Sequence, residues 1–128
     1  MFVGCQASGK TTYSNMYNNI DNYIVIHGDE LKTESKIKKE ILKNIYQNKS
    51  IVLDATNGTK KKREVFINLI KTYNYYIKII YMNIDFEICF NRNNKRKNSI
   101  PKIGLYTYRK RFEMPTLDEG IDNIEIIY

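Results

Sequence analysis

Apolar and polar positions alternate along this chain in a regular series of short β-branched runs and longer segments with helical spacing. Met1-Phe2-Val3 is a brief apolar run, and Thr12 to Ile20 can continue from it as helix. Tyr23-Ile24-Val25-Ile26-His27 reads as a buried strand that delivers Gly28-Asp29 to an edge. From Leu31 to Gln47 the residues Ile37, Ile41, Leu42 and Ile45 share one helical face, with lysines opposite. Ser50-Ile51-Val52-Leu53 is the next strand; it runs into Asp54 and the turn-forming Ala55-Thr56-Asn57-Gly58. Thr59 is placed to cap a helix reaching about Tyr73, with Val65, Phe66, Leu69 and Ile70 as its core stripe. Tyr76 to Met82 is apolar throughout except for Lys78, as a parallel strand covered on both faces should be. Helical spacing returns from Asp85 to about Lys95 and from Ile103 to Phe112, with a break at Asn98 to Pro101, and Asn123 to Tyr128 closes as a strand. Such alternation predicts an α/β domain over residues 1–128, a mainly parallel sheet with helices on both faces.

The first strand and helix enclose Gly4-Cys5-Gln6-Ala7-Ser8-Gly9-Lys10-Thr11, which fits G-x-x-x-x-G-K-[ST]. Two glycines let successive N–H groups converge on one concavity, and the following helix adds its positive end there. Lys10 is then placed for the β- and γ-phosphates of a nucleotide, and the Thr11 hydroxyl for Mg²⁺. The run before Gly4 is short for a strand, so the first strand is expected to be truncated. Asp29 and Asp54, each at a strand end, should come to the same sheet edge as this loop. Arg92 to Pro101 has the composition of a basic lid. Together these are the parts of a phosphoryl-transfer site, which needs charge neutralisation and alignment more than covalent help.

Composition changes the picture only a little. The formal charge of +7 favours polyanionic partners, although lysine-rich solvated faces give the same number. Lys60-Lys61-Lys62-Arg63 has the wrong sign for a helix N-terminus, so it is read either as wet surface or as the seat of an anion. Cys5 and Cys89 have no metal spacing and fit a reducing compartment. With no apolar run long enough for a membrane span and no signal peptide, a soluble intracellular protein is expected.

Beyond these elements, the sequence resembles the kinase domain of the polynucleotide kinase family, enzymes that phosphorylate the 5′-hydroxyl of DNA or RNA. The resemblance is carried by Gly4 to Thr12, His27-Gly28-Asp29, Val52 to Asn57, Arg92 to Arg96, and Tyr108-Arg109-Lys110-Arg111-Phe112-Glu113-Met114-Pro115-Thr116-Leu117-Asp118-Glu119-Gly120. It implies a P-loop kinase sandwich of three layers, with a five-stranded sheet in the order 2-3-1-4-5. ATP or GTP would lie along Gly4, Cys5, Gln6, Ala7, Ser8, Gly9, Lys10, Thr11 and Thr12, clamped by Arg92 and Arg96. By the same resemblance Lys10, Asp29 and Arg96 are catalytic, with Asp29 as general base on the 5′-hydroxyl. Lys32, Asp54, Asn57 and Arg63 stand with Asp29 as candidate substrate contacts. Thr11 would ligate Mg²⁺, and Asp54 would lie beside the acceptor or in the outer shell of the ion.

Plainer roles compete with several of these: an N-cap for Asp29, turn formation for Asp54 and Asn57, solvation for Lys32, and strand-end packing for His27. The family often carries Asn-Arg where this chain has His27-Gly28, which weakens the transfer of acceptor contacts. Cys5 is expected to be tolerated in the loop, not reactive. No D-x-D pair occurs, so phosphatase chemistry, or a ligase module, would lie in other parts of a larger protein. Two further readings remain: a kinase for a small acceptor such as a nucleoside or sugar, and a nucleotide-gated nucleic-acid-binding module without catalysis.

Overall fold

The computed structural model describes residues 1–128 throughout. Its strands are β1 (Phe2–Gly4), β2 (Tyr23–His27), β3 (Ser50–Asp54), β4 (Lys78–Met82) and β5 (Asn123–Ile127). Between them lie α1 (Lys10–Ser14), α2 (Gly28–Leu31), α3 (Glu34–Ile45), α4 (Lys60–Lys71), α5 (Phe86–Lys95) and α6 (Lys102–Arg111). Capping residues set several boundaries where the sequence places them. The Thr59 hydroxyl accepts from Lys62 N–H at the start of α4, and Asp85 accepts from Glu87 N–H at the start of α5.

Two segments depart from the expected pattern. The helix expected over Thr12 to Ile20 is α for only five residues and then a 3-10 turn at Asn15–Asn19, because asparagine side chains compete for backbone partners and weaken the helix. The helix expected from Leu31 starts only at Glu34, since Lys32 sits at φ 69° and Thr33 is the N-cap of α3; a separate short helix, α2, ends at Leu31. The short piece, α2, carries Asp29.

All strand pairs are parallel, with Phe2 opposite Ile80, His27 opposite Asp54, and Lys78 opposite Asn123. The sheet is not one continuous ladder as expected. It comprises β1-β4-β5 and, separately, β2-β3. The reason lies in β1, which spans three residues and offers its free edge to the turn after β3. Gly4 N–H donates to the Thr56 carbonyl at 3.1 Å, and the Asn57 amide donates to the Phe2 carbonyl at 2.8 Å. One backbone bond and one side-chain bond therefore close the junction that a ladder would otherwise close.

Both faces of the strands are covered, as the apolar runs predict. Val3 and Ile79 pack with Ile67 of α4 on one side, while Phe2, Ile80 and Met82 pack with Tyr13 and Tyr17 on the other. Ile26 and Leu53 meet Ile37, Ile41 and Ile45 of α3, together with Phe66. Cys5, Cys89 and Leu105 form a separate apolar seat that anchors α5 and α6 beneath the phosphate loop.

Candidate active site around the phosphate loop

The loop between β1 and α1 is held in shape by close packing and by two left-handed residues. A Cβ on Gly4 would fall 2.9 Å from Ser8 Oγ and 3.0 Å from Met82 Cβ, so only glycine fits there. Gly9 has φ 100° and Ala7 has φ 62°, a conformation in which alanine is strained. Lys10 is buried, and its ammonium donates to the carbonyls of Gly4 at 2.9 Å and Cys5 at 2.6 Å. Burial lowers the pKa of this ammonium, opposed by the charges of Asp54 and Asp29 among others. The charges of Asp54, at the end of β3, and Asp29, on α2, thus both act on this lysine.

Asp54 is the hub of a buried polar network. Its Oδ2 accepts from Thr11 Oγ1 at 2.8 Å and from Ser14 Oγ at 3.3 Å, and lies 2.9 Å from His27 Nδ1. Its carboxylate is 5% exposed and turned to the Thr11 hydroxyl, so the expected direct contact with an acceptor is corrected: the group is occupied inside the fold. His27 is more than strand-end packing, since it fixes this carboxylate. Sequence reasoning missed both His27 and Ser14, yet the signals were present. His27 and Asp54 end neighbouring strands in register, and Ser14 lies one turn after Thr11 on α1.

Two other expected substrate contacts are corrected. Asn57 is buried with φ 45°, and its amide is spent on the Phe2 carbonyl. Arg63 is wholly buried: Nε and Nη2 donate to Glu119 at 2.8 and 3.1 Å, and Nη1 donates to the Asn57 carbonyl at 3.0 Å. Burial pushes the Glu119 carboxyl up, but hydrogen bonds from Arg63 and Thr116 N–H outweigh it and hold the group below its ordinary value. Neither residue reaches a ligand. Arg63 sits at a register on α4 where the core stripe, not the surface, turns inward. Asp29 and Lys32 are exposed at α2 and its end.

Two clefts flank the loop. One, of about 610 Å³, lies between Ala7, Gly9, Thr12 and Tyr13 on one side and Arg92, Lys95 and Arg96 on the other. Arg92 also reaches the Ala7 carbonyl at 3.5 Å. The second, of about 940 Å³, runs from Gln6 past Thr56, Thr59 and Lys62 to Tyr108 and Arg111 on α6. The basic first turn of α4 therefore contributes Lys61 and Lys62 to a cleft, while Arg63 turns away from it. Asn93 ties the segment after α5 together, its amide pairing with both N–H and carbonyl of Ile100 at 2.9 and 2.8 Å.

Cys5 and Cys89 are both buried, and hydrogen bonding between them followed by burial raises the Cys5 thiol. Cys5 is thereby held in its protonated form. No helix is long and apolar enough to cross a membrane.

Comparison with known proteins agrees with this frame. The chain is 29% identical over 130 residues to the bifunctional polynucleotide phosphatase/kinase of Schizosaccharomyces pombe, covering 98% of this chain and 32% of that protein. It is 31% identical over 135 residues to a protein of Acanthamoeba polyphaga mimivirus given the same name provisionally, covering 99% of this chain and 32% of that protein. The chain thus spans about a third of the length of these curated relatives. Among solved structures, a gluconokinase from Sinorhizobium meliloti 1021 superposes with TM-score 0.66 at 16% identity, covering 98% of this chain and 79% of that one. A family model described as an AAA domain matches residues 32–115, well over half of the sequence. On that match the chain belongs to the AAA domain family, with the fold of a P-loop kinase.

Proposed function

We propose that the chain is a polynucleotide 5′-hydroxyl kinase domain that moves the γ-phosphate of ATP to the 5′-OH end of DNA or RNA. One observation carries the reading: a cleft rimmed by Arg92 and Arg96 and a cleft rimmed by Lys62 and Arg111 meet at the same phosphate loop. The charge of Asp29 acts on Lys10, which supports a place for Asp29 beside the loop. The relatives named above support a nucleic-acid acceptor.

On this reading the triphosphate lies along the loop from Gly4 to Thr12. Loop N–H groups and the Lys10 ammonium face its β- and γ-oxygens, and Arg92 and Arg96 face it from α5 and its end. The residues present fit a magnesium ion. The Thr11 hydroxyl and the Asp54 carboxylate are oxygen donors held 2.8 Å apart, the ligand type that the ion takes together with phosphate and water. When bound, Mg²⁺ supplies neutralisation of charge on the β- and γ-phosphates. Asp29 accepts the proton of the attacking hydroxyl as the oxygen approaches phosphorus. Lys62 and Arg111 neutralise the phosphate that follows the terminal nucleoside, and Lys32 remains in solvent.

Phosphate acceptance should be compared among a 5′-hydroxyl oligonucleotide, a free nucleoside and a sugar, with ATP or GTP as donor. The reading predicts transfer to the oligonucleotide. Selective transfer to the nucleoside or sugar instead would make this a small-molecule kinase. With Asp29→Asn, turnover should fall about a hundredfold or more while nucleotide binding persists; retained turnover removes Asp29 from its role.

A further inference from the structure

Neither cleft uses the outer surface of α5 and α6. Phe86 and Phe90 stand one turn apart on α5, with ring centroids 6.0 Å apart, and Tyr106 of α6 meets each of them at 5.7 Å. Cations lie over these rings: Arg109 is 4.1 Å from the centroid of Phe86 and 5.4 Å from that of Tyr106, and Lys102 is 5.6 Å from that of Phe90. Phe86 and Phe90 are half-buried, with one side packed against the Cys5, Cys89 and Leu105 core, so Tyr106 is the open member of the group. Here Tyr106 is 46% exposed, and Lys102 and Arg109 are exposed without an ion-pair partner.

The surface is joined to the larger cleft by the helix itself. Ile103, Gly104, Thr107, Tyr108 and Arg111 line that cleft. Lys102, Tyr106 and Arg109, spaced by four and three residues, occupy the opposite face of α6. The exposed flank between the two faces carries Lys110. A helix is about 10 Å across with its side chains, so a polymer leaving the cleft and passing round α6 to Tyr106 covers roughly 16 Å, about five stacked nucleotides at roughly 3.4 Å each.

We propose that Phe86, Phe90 and Tyr106, with Lys102 and Arg109, form a stacking platform for single-stranded nucleic acid downstream of the 5′ end held in the cleft. The proposal rests on the reading of the acceptor as nucleic acid. Every base has a π-face, so an aromatic platform accepts any sequence, and the guanidinium stacked on Phe86 adds a planar cation beside it. The lysine and arginine neutralise the backbone passing over them.

Anisotropy titration of labelled, 5′-phosphorylated oligothymidylate and oligouridylate separates the platform from catalysis, because neither can accept phosphate. Tyr106→Ala should weaken binding about tenfold and Tyr106→Phe should restore it, as expected from loss of one base–aromatic stack. Lys102→Glu with Arg109→Glu should lower the slope of log affinity against log salt by about 1.4. Equal binding by wild type and Tyr106→Ala, both folded by thermal melting, overturns the platform. Platform-dependent binding without transfer to any 5′-hydroxyl acceptor keeps this surface and removes the kinase reading. Transfer with no platform dependence does the reverse.

Discussion

His27 and Asp54 show what a single side chain does at this site. A carboxylate that is 5% exposed needs hydrogen-bond partners, and Thr11, Ser14 and His27 all converge on its Oδ2. Removing the imidazole in His27→Ala should cost about 1–3 kcal/mol by leaving Asp54 short of a partner, read as a lower midpoint in urea. His27→Asn, whose amide can donate from a similar place, should recover part of that loss. Ala7 offers a change in the other direction. At φ 62° an alanine carries strain of roughly 1–3 kcal/mol, which exceeds the 0.4–1 kcal/mol that glycine adds to unfolded-chain entropy. Ala7→Gly should therefore raise stability by about 1 kcal/mol, and a fall in melting temperature would contradict this. At this scale the sequence made the phosphate loop and both aspartates legible, because strand ends and motif spacing place them. It concealed the burial of Asn57 and Arg63, because a polar residue read one at a time gives no sign of the partner waiting across the fold.

At the scale of elements, α4 is tied to the segment before β5 by the Arg63–Glu119 pair, both groups nearly inaccessible. Arg63→Ala should cost about 3–5 kcal/mol because it strands a buried carboxylate. The same pair fixes a pH dependence. Glu119 titrates below its ordinary value in the folded chain, so its contribution is full above about pH 4.3 and is lost as the pH falls through the folded value. Acid titration of Arg63→Met with Glu119→Leu should lose part of that dependence. Gly58 sets a second joint. A Cβ there would stand 2.6 Å from a Tyr108 ring carbon, so Gly58→Ala should displace α6 and destabilise by about 1–3 kcal/mol. Strand and helix identities were legible because apolar periodicity decides them. The separate turn of helix α2 and the later start of α3 at Glu34 were not, since a positive φ at Lys32 leaves no mark in the hydrophobic pattern.

Across the whole molecule, a parallel α/β frame places Arg96 across a cleft from Ala7, Gly9 and Thr12 and lets the charge of Asp29 act on Lys10. The alternation of strands and helices announced that frame. The interruption between β1 and β3 was hidden, because one backbone bond and one side-chain bond, from Asn57, replace ladder bonds that the pattern alone would supply. A formal charge of +7 adds a field that favours polyanions, so affinity for an oligonucleotide should fall steeply with salt, while affinity for a nucleoside should not. The most direct test is transfer of label from γ-labelled ATP, with Mg²⁺, to matched oligonucleotides bearing either a 5′-hydroxyl or a 5′-phosphate. Label confined to the 5′-hydroxyl end is the predicted result, and folded, nucleotide-binding protein that labels neither would contradict the account.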